Sequence, residues 1–191
     1  MVDQETAHLS VLRLIVFTNG LDAALRSGDV AQMDTLLRPL AGNAGVEIWA
    51  VLDDQGRAWL TNVAHPEASA GAYDFVVAEW RGETAIDAVI TQARDSTGDK
   101  MVGTKTVAAE SYFYTVAPVT DADGRMLGAV LVGTRLTTLL DVLRERSNAQ
   151  EVLLTQEGAF RASTLLVDPT IFELSADQAA TVDESPARSV V

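Results

Sequence analysis

Ala117-Pro-Val-Thr-Asp-Ala-Asp-Gly-Arg-Met-Leu-Gly-Ala-Val-Leu-Val-Gly-Thr-Arg-Leu136 reads as a strand, a tight turn and a longer strand. Two apolar runs rich in β-branched residues flank Asp123-Gly124, a dipeptide that supplies the positive backbone dihedrals of a short hairpin turn. The same grammar recurs at Val51–Asn62 and at Leu153–Thr164, where an acidic or amide residue and a glycine again stand between apolar strands. Successive hairpins of this kind build an antiparallel sheet.

Working outward, 191 residues suffice for one substantial core, or for one core and part of another. With 27 acidic against 14 basic side chains the formal charge is -13. Such a field repels a phosphate backbone or an anionic lipid surface, which excludes nucleic acid as a partner. The absence of cysteine removes disulfides, thiolate metal sites and thiol nucleophiles, and it fits a reducing or an oxidising compartment equally. The longest apolar runs, such as Met126–Gly133, fall short of the ~20 residues that cross a bilayer, so this stretch is not expected to insert in a membrane. Met1 is followed by Asp3 and Glu5 rather than by the basic and apolar regions of a secretory signal, as a segment excised from a longer chain would also show.

Apolar residues Leu9, Leu12, Ile15, Val16, Leu21 and Leu25 predict one helix from Glu5 to about Arg26. Gly28-Asp29 ends it and starts a second, with Asp29 as cap and Pro39 and Gly42 at its close, so that residues 1–45 form a helical lead-in. Val46–Asp53 reads as a strand buried on both faces, and Arg57–Thr61 returns from its turn. Ala64–Thr84 is irregular, yet it carries Tyr73, Phe75 and Trp80 and is expected to pack over the sheet. Glu83 to about Arg94 is helical by spacing, strands follow at Val102–Ala108, Ser111–Val119 and Leu127–Arg135, and a helix from Leu136 closes a module at 46–148. Residues 149–191 open with the third hairpin, the start of a second module.

Catalytic chemistry finds little to work with. The two histidines, His8 and His65, lie far apart outside any metal-ligand spacing, and His8 is expected on a helix surface. Glu67-Ala-Ser-Ala-Gly71 lacks the first glycine of a nucleophile elbow, and there is no Walker loop. An EF-hand register on Asp121-Ala-Asp-Gly124 would put Val119 and Val130 where carboxylates are required. The pairs Asp53-Asp54 and Asp121/Asp123 sit in polar turns with nothing to raise a pKa. No catalytic residue, metal or cofactor is expected.

In its order of elements the chain resembles the Cache family. A long helix, a second opening with Gly-Asp, two strands around an Asp-x-Gly turn, a helical insertion, and strands with the Ala-Pro-Val, Asp-Gly and Leu-Gly-Ala-Val-Leu-Val-Gly pattern carry the likeness over about residues 5–148. The resemblance implies an α/β (α+β) PAS-like sensor fold, the extracytoplasmic part of a bacterial membrane receptor, with 149–191 beginning a second Cache module and an output domain beyond it. It implies a small-molecule ligand held between the sheet and the insertion, with Trp80, Arg81, Lys105, Tyr112 and Tyr114 as pocket walls. Amine-binding relatives carry an Arg-x-Trp-Tyr stretch and an aspartate late in the last strand. Here the insertion reads Ala78-Glu-Trp-Arg-Gly82 and the aspartate's place falls near Gly133, so Lys105 and Arg81 point to a carboxylate instead. The competing expectation is a PAS-like module that binds no ligand and forms a homodimer through its N-terminal helix.

Overall fold

The computed structural model describes residues 2–65, 71–92, 98, 100–147, 153–156 and 159–163. The chain forms two compact units, residues 1–135 and 136–191. The second contains helix α5 (Leu136–Ser147) and an antiparallel hairpin of β7 (Leu153–Gln156) and β8 (Ala159–Ser163). The turn of that hairpin lies outside the described residues.

The first unit is built on a six-stranded antiparallel sheet. Its strands are β1 (Ile48–Asp53), β2 (Ala58–Ala64), β3 (Tyr73–Phe75), β4 (Met101–Val107), β5 (Glu110–Thr120) and β6 (Met126–Arg135), in the order β3-β2-β1-β6-β5-β4. β1 and β6 are therefore the central pair. Every residue of β1 is buried, because both faces of the sheet are covered. Trp49, Val51, Leu60, Ala117, Val119, Val130 and Val132 pack with helices α1 (Val2–Val16), α2 (Leu21–Ser27) and α3 (Val30–Asn43). Ile48, Ala50, Leu52, Tyr112, Tyr114, Val116, Ala129 and Leu131 pack with α4 (Thr84–Ile90) and Trp80. The alternation of strand side chains thus divides the unit into two cores, one on each side of the sheet.

The β1–β2 and β5–β6 turns use one device, whereas β4 and β5 are joined by the two-residue turn Ala108-Ala109, at φ 49° and 68°. Asp53 Oδ1 accepts from the backbone N–H groups of Gln55 and Arg57, each at 2.8 Å, and Asp121 Oδ1 accepts from those of Asp123 at 3.0 Å and Arg125 at 2.9 Å. Within these two Asp-x-x-Gly-Arg turns only the glycines, Gly56 at φ 74° and Gly124 at φ 78°, take the left-handed conformation. The loops are thus five-residue Asp-x-x-Gly-Arg turns rather than the two-residue turn read from Asp123-Gly124, since the aspartate carboxylate takes loop N–H groups in addition to the backbone bonds from Asp53 N–H to the Arg57 carbonyl and from Asp121 N–H to the Arg125 carbonyl.

Three local expectations are corrected. The leading helix is not continuous to Arg26: it breaks after Val16, and α1 and α2 meet at 73°. The break is chemical, with the Thr18 hydroxyl donating to the Leu14 carbonyl at 2.8 Å and Gly20 at φ 89°. No single described helix is long and apolar enough to cross a membrane. Pro39 does not close α3 but lies inside it, two residues before buried Ala41, where core packing outweighs the one lost N–H. His8, expected in solvent, is only 2% exposed.

One cross-strand row positions the rest: Gly103, Tyr114, Gly133, Ile48 and Val63 lie side by side on the α4 face. A Cβ on Gly103 would sit 2.5 Å from the Tyr114 hydroxyl, and one on Gly133 would sit 2.7 Å from the Phe113 carbonyl and 2.8 Å from Ile48 Cγ2. The glycines make room for the phenol. Gly133→Ala is expected to lower the urea midpoint by the equivalent of about 1–3 kcal/mol through overpacking against backbone that cannot yield. An unchanged midpoint would contradict this close approach.

Candidate functional site

The segment after β3 brings Trp80 under the sheet, where it is fully buried and its indole N–H donates to Thr61 Oγ1 at 3.0 Å. Tyr114 meets it edge to face, with ring centroids 5.3 Å apart. Over the same indole, at 5.5 Å from its centroid, lies the Lys105 ammonium. Glu83, the residue that precedes α4, supplies that ammonium with a carboxylate. Lys105 and Glu83 are partly buried, with side-chain exposures of 18% and 30%. A cation at an aromatic face, shielded on one side and neutralised by an internal carboxylate, is an anion-binding arrangement with its anion already present.

Tyr112 occupies the same face two residues along β5, but its ring engages Arg135, whose guanidinium carbon is 5.8 Å from its centroid. Arg135 is clamped in turn. It donates from its side chain and its backbone N–H to Glu47, both at 2.8 Å, and to the Ala64 carbonyl at 2.7 Å. Arg81 is exposed, its stem against Gly56 of the β1–β2 turn. Trp80 therefore meets both Lys105 and Tyr114, Tyr112 is the cross-strand partner of Lys105, and Arg81 is turned to solvent.

Burial pushes the Tyr114 phenol well up, and the Glu83 and Asp87 carboxylates push the same way. Burial also raises Tyr112, opposed by the charge and hydrogen bond of Arg135. Tyr73, on the other face, is raised to about 12, again chiefly by burial. Among the described residues no cluster of three or more His, Asp or Glu side chains could hold a metal ion.

Two cavities lie away from this cluster. One of ≈ 910 Å³ opens between Leu12 and Val16 of α1, Phe17 just beyond that helix, Lys100, and the end of β5 with the turn at Asp121. Another of ≈ 260 Å³ follows the outer edge of β2, beside Trp59 and Phe75. Sequence reasoning missed Glu83 and Arg135, whose partners are 22 and 88 residues away and leave no local pattern. It also missed His8, although His8, Leu12 and Ile15 carry core spacing on α1.

The family model described as the double sensory domain of two-component sensor kinases, a double Cache model, matches residues 2–186. The chain belongs to this double Cache family. Compared with curated protein sequences, it matches none. Among solved structures, this Cache chain is similar to a domain of a sensory box/GGDEF family protein from Vibrio parahaemolyticus, with a TM-score of 0.61 at 11% identity, over 86% of this chain and 65% of that one. It is similar to the sensor domain of the Vibrio cholerae histidine kinase DctB, with a TM-score of 0.58 at 14% identity, over 95% of this chain and 68% of that one. It is also similar to the ligand-binding domain of the Campylobacter jejuni chemoreceptor Tlp3 in complex with 4-methylisoleucine, with a TM-score of 0.56 at 10% identity, over 85% and 62%. The Cache chain thus spans about two thirds of the length of the solved domains it matches, and at these identities the likeness is one of fold.

The three tyrosines of this Cache domain are Tyr73, Tyr112 and Tyr114. Absorbance at 295 nm is expected to show at most one tyrosinate at pH 11 in the folded protein, since Tyr73 and Tyr114 stay protonated. The unfolded chain loses these protons near pH ~10, so stability falls as pH rises above that value. Two or more tyrosines titrating near pH 10 with circular dichroism unchanged would contradict the burial described.

Proposed function

We propose that this chain is the extracytoplasmic sensor region of a bacterial transmembrane signalling receptor, and that it recognises a small carboxylate at the α4 face of the sheet. Membership of the double Cache family supports the sensory role. The observation that carries the ligand class is the Lys105 ammonium, which lies over Trp80 and is neutralised by Glu83. Glu83 occupies the place that a ligand carboxylate would take, so binding is an exchange of one carboxylate for another on the same cation. The exchange has a mechanical consequence, because Glu83 precedes the first turn of α4 and its release from Lys105 frees the start of that helix. Tyr112 and Tyr114 form the apolar floor, and Arg81 reaches the ligand only from the rim. The domains follow the same reading: helices over 1–45, the sensor module at 46–148, and the start of a second module at 149–191.

A second reading, a homodimer through α1, is favoured by Leu14 on that helix and Phe17 just beyond its end, which are 64% and 82% exposed. A thermal-shift screen against acetate, pyruvate, succinate, citrate, amino acids, amines and sugars separates the two. A ligand at ~100 times its dissociation constant stabilises by about 2.7 kcal/mol, a clear rise in midpoint. The carboxylates are expected to produce this shift, Glu83→Gln to enlarge it by removing the internal competitor, and Lys105→Met to abolish it while keeping an apolar stem over Trp80. A shift that survives in Lys105→Met would overturn the site, and no shift with any compound would favour the dimerisation reading.

A further inference from the structure

His8 is the centre of a buried polar node on the face of the sheet opposite α4. Its Nδ1 is 3.1 Å from Thr115 Oγ1 on β5, and its Nε2 is 3.0 Å from Thr134 Oγ1 on β6. Gln4, one turn earlier on α1, places its amide nitrogen 3.2 Å from His8 Nε2 and 2.7 Å from Thr134 Oγ1. Phe113 stacks on the imidazole at 5.7 Å. Thr115 and Thr134 are buried and Gln4 half-buried, and these bonds fasten the N-terminal half of α1 to two neighbouring strands.

The Gln4 amide nitrogen can only donate, and its contact is satisfied in the tautomer in which His8 Nε2 accepts and Nδ1–H donates to Thr115. The Thr134 hydroxyl accepts from Gln4 and donates to His8 Nε2. Protonation at Nε2 would set a new N–H against the Gln4 amide, force the Thr134 hydroxyl to turn from donor to acceptor and bury a cation, with no carboxylate among the atoms it touches. An aqueous imidazolium suffers neither penalty.

We propose that the Gln4–His8–Thr115–Thr134 node is an acid-sensitive latch, which holds α1 on β5 and β6 while His8 is neutral and releases the start of α1 when His8 takes a proton. Burial alone lowers the His8 pKa from 6.5 to about 4, with no charged group contributing. The charged and titratable groups of the surrounding elements are otherwise engaged or placed. Glu5 and exposed Arg13 lie on α1, Glu110 is exposed at the start of β5, and Tyr112 and Tyr114 of that strand face α4. Arg135 of β6 is held by Glu47, and Asp34 and Arg38 of α3 pair with each other at 2.8 Å. The sign follows directly. Released His8 protonates near 6.5 and latched His8 near 4, so docking is complete above pH 6.5 and weakens as pH falls through that window.

Hydrogen exchange of the 191-residue chain, corrected for intrinsic rates, tests the latch at pH 7.5 and pH 5. Protection of α1 is expected to fall about tenfold or more relative to β1 in the wild type, and to keep a constant ratio to β1 in His8→Gln, which cannot titrate. Ring NMR of the wild type supplies a readout that does not depend on the variant folding. It should show His8 titrating well below 6.5. An α1-to-β1 ratio independent of pH, the same fall in His8→Gln, or a His8 ring titrating near 6.5 with α1 still protected would each overturn the proposal.

Discussion

Ile48–Leu52 of β1 and Ala129–Val132 of β6 present apolar side chains to both faces of the sheet, and the arrangement of residues 1–135 follows from that constraint. Such a central antiparallel pair must be covered on both sides, since an uncovered face would leave valines, leucines and a tryptophan in water. α1 to α3 cover the face of Trp49, Val51, Val130 and Val132. α4 and the Trp80 segment cover the face of Ile48, Ala50, Ala129 and Leu131. The sheet is therefore a partition. Each core carries its own polar insert, the His8 node on one side and the Lys105–Glu83 pair on the other.

Those inserts differ in electrostatic character because they differ in access to water. His8 is in the dry core and is kept neutral. Lys105 and Glu83 keep partial exposure, which lets a charge pair persist without the full desolvation cost of a deep site. Their coupling is accordingly modest, as for pairs near a surface, and a competing carboxylate has little to displace. Arg135 and Glu47 are more enclosed, at 15% and 18% exposure, and are tied to the backbone as well, which suits a structural clamp rather than an exchangeable site.

The architecture was largely legible in the sequence, because hairpin patterns repeat and the strand read at Val46–Asp53 holds the apolar run Ile48–Leu52 of a strand buried on both sides. Asp29 was legible as a cap, and its carboxylate does accept from the Gln32 backbone N–H. The grouping of Trp80, Lys105 and Tyr114 came from family resemblance and not from spacing. What escaped was of two kinds. Long-range partners such as Glu83 and Glu47 leave no trace in a window of neighbouring residues. The helix break at Thr18-Asn-Gly20 and the burial of His8 were present as a turn signal and a core stripe, but a polar residue on an apolar stripe reads as surface until its hydroxyl partners on other strands are known.

The central claim is that a ligand carboxylate enters at Trp80, on one side of the partition only. The three tryptophans report on this directly: Trp80 lies on the α4 face, Trp49 in the opposite core, and Trp59 is exposed against Gly28. Their indole N–H signals in a ¹⁵N NMR titration with succinate and acetate are the most direct measurement. The account predicts that the Trp80 signal moves and saturates while Trp49 and Trp59 stay in place. Movement of Trp49 or Trp59 with Trp80 unchanged would contradict it.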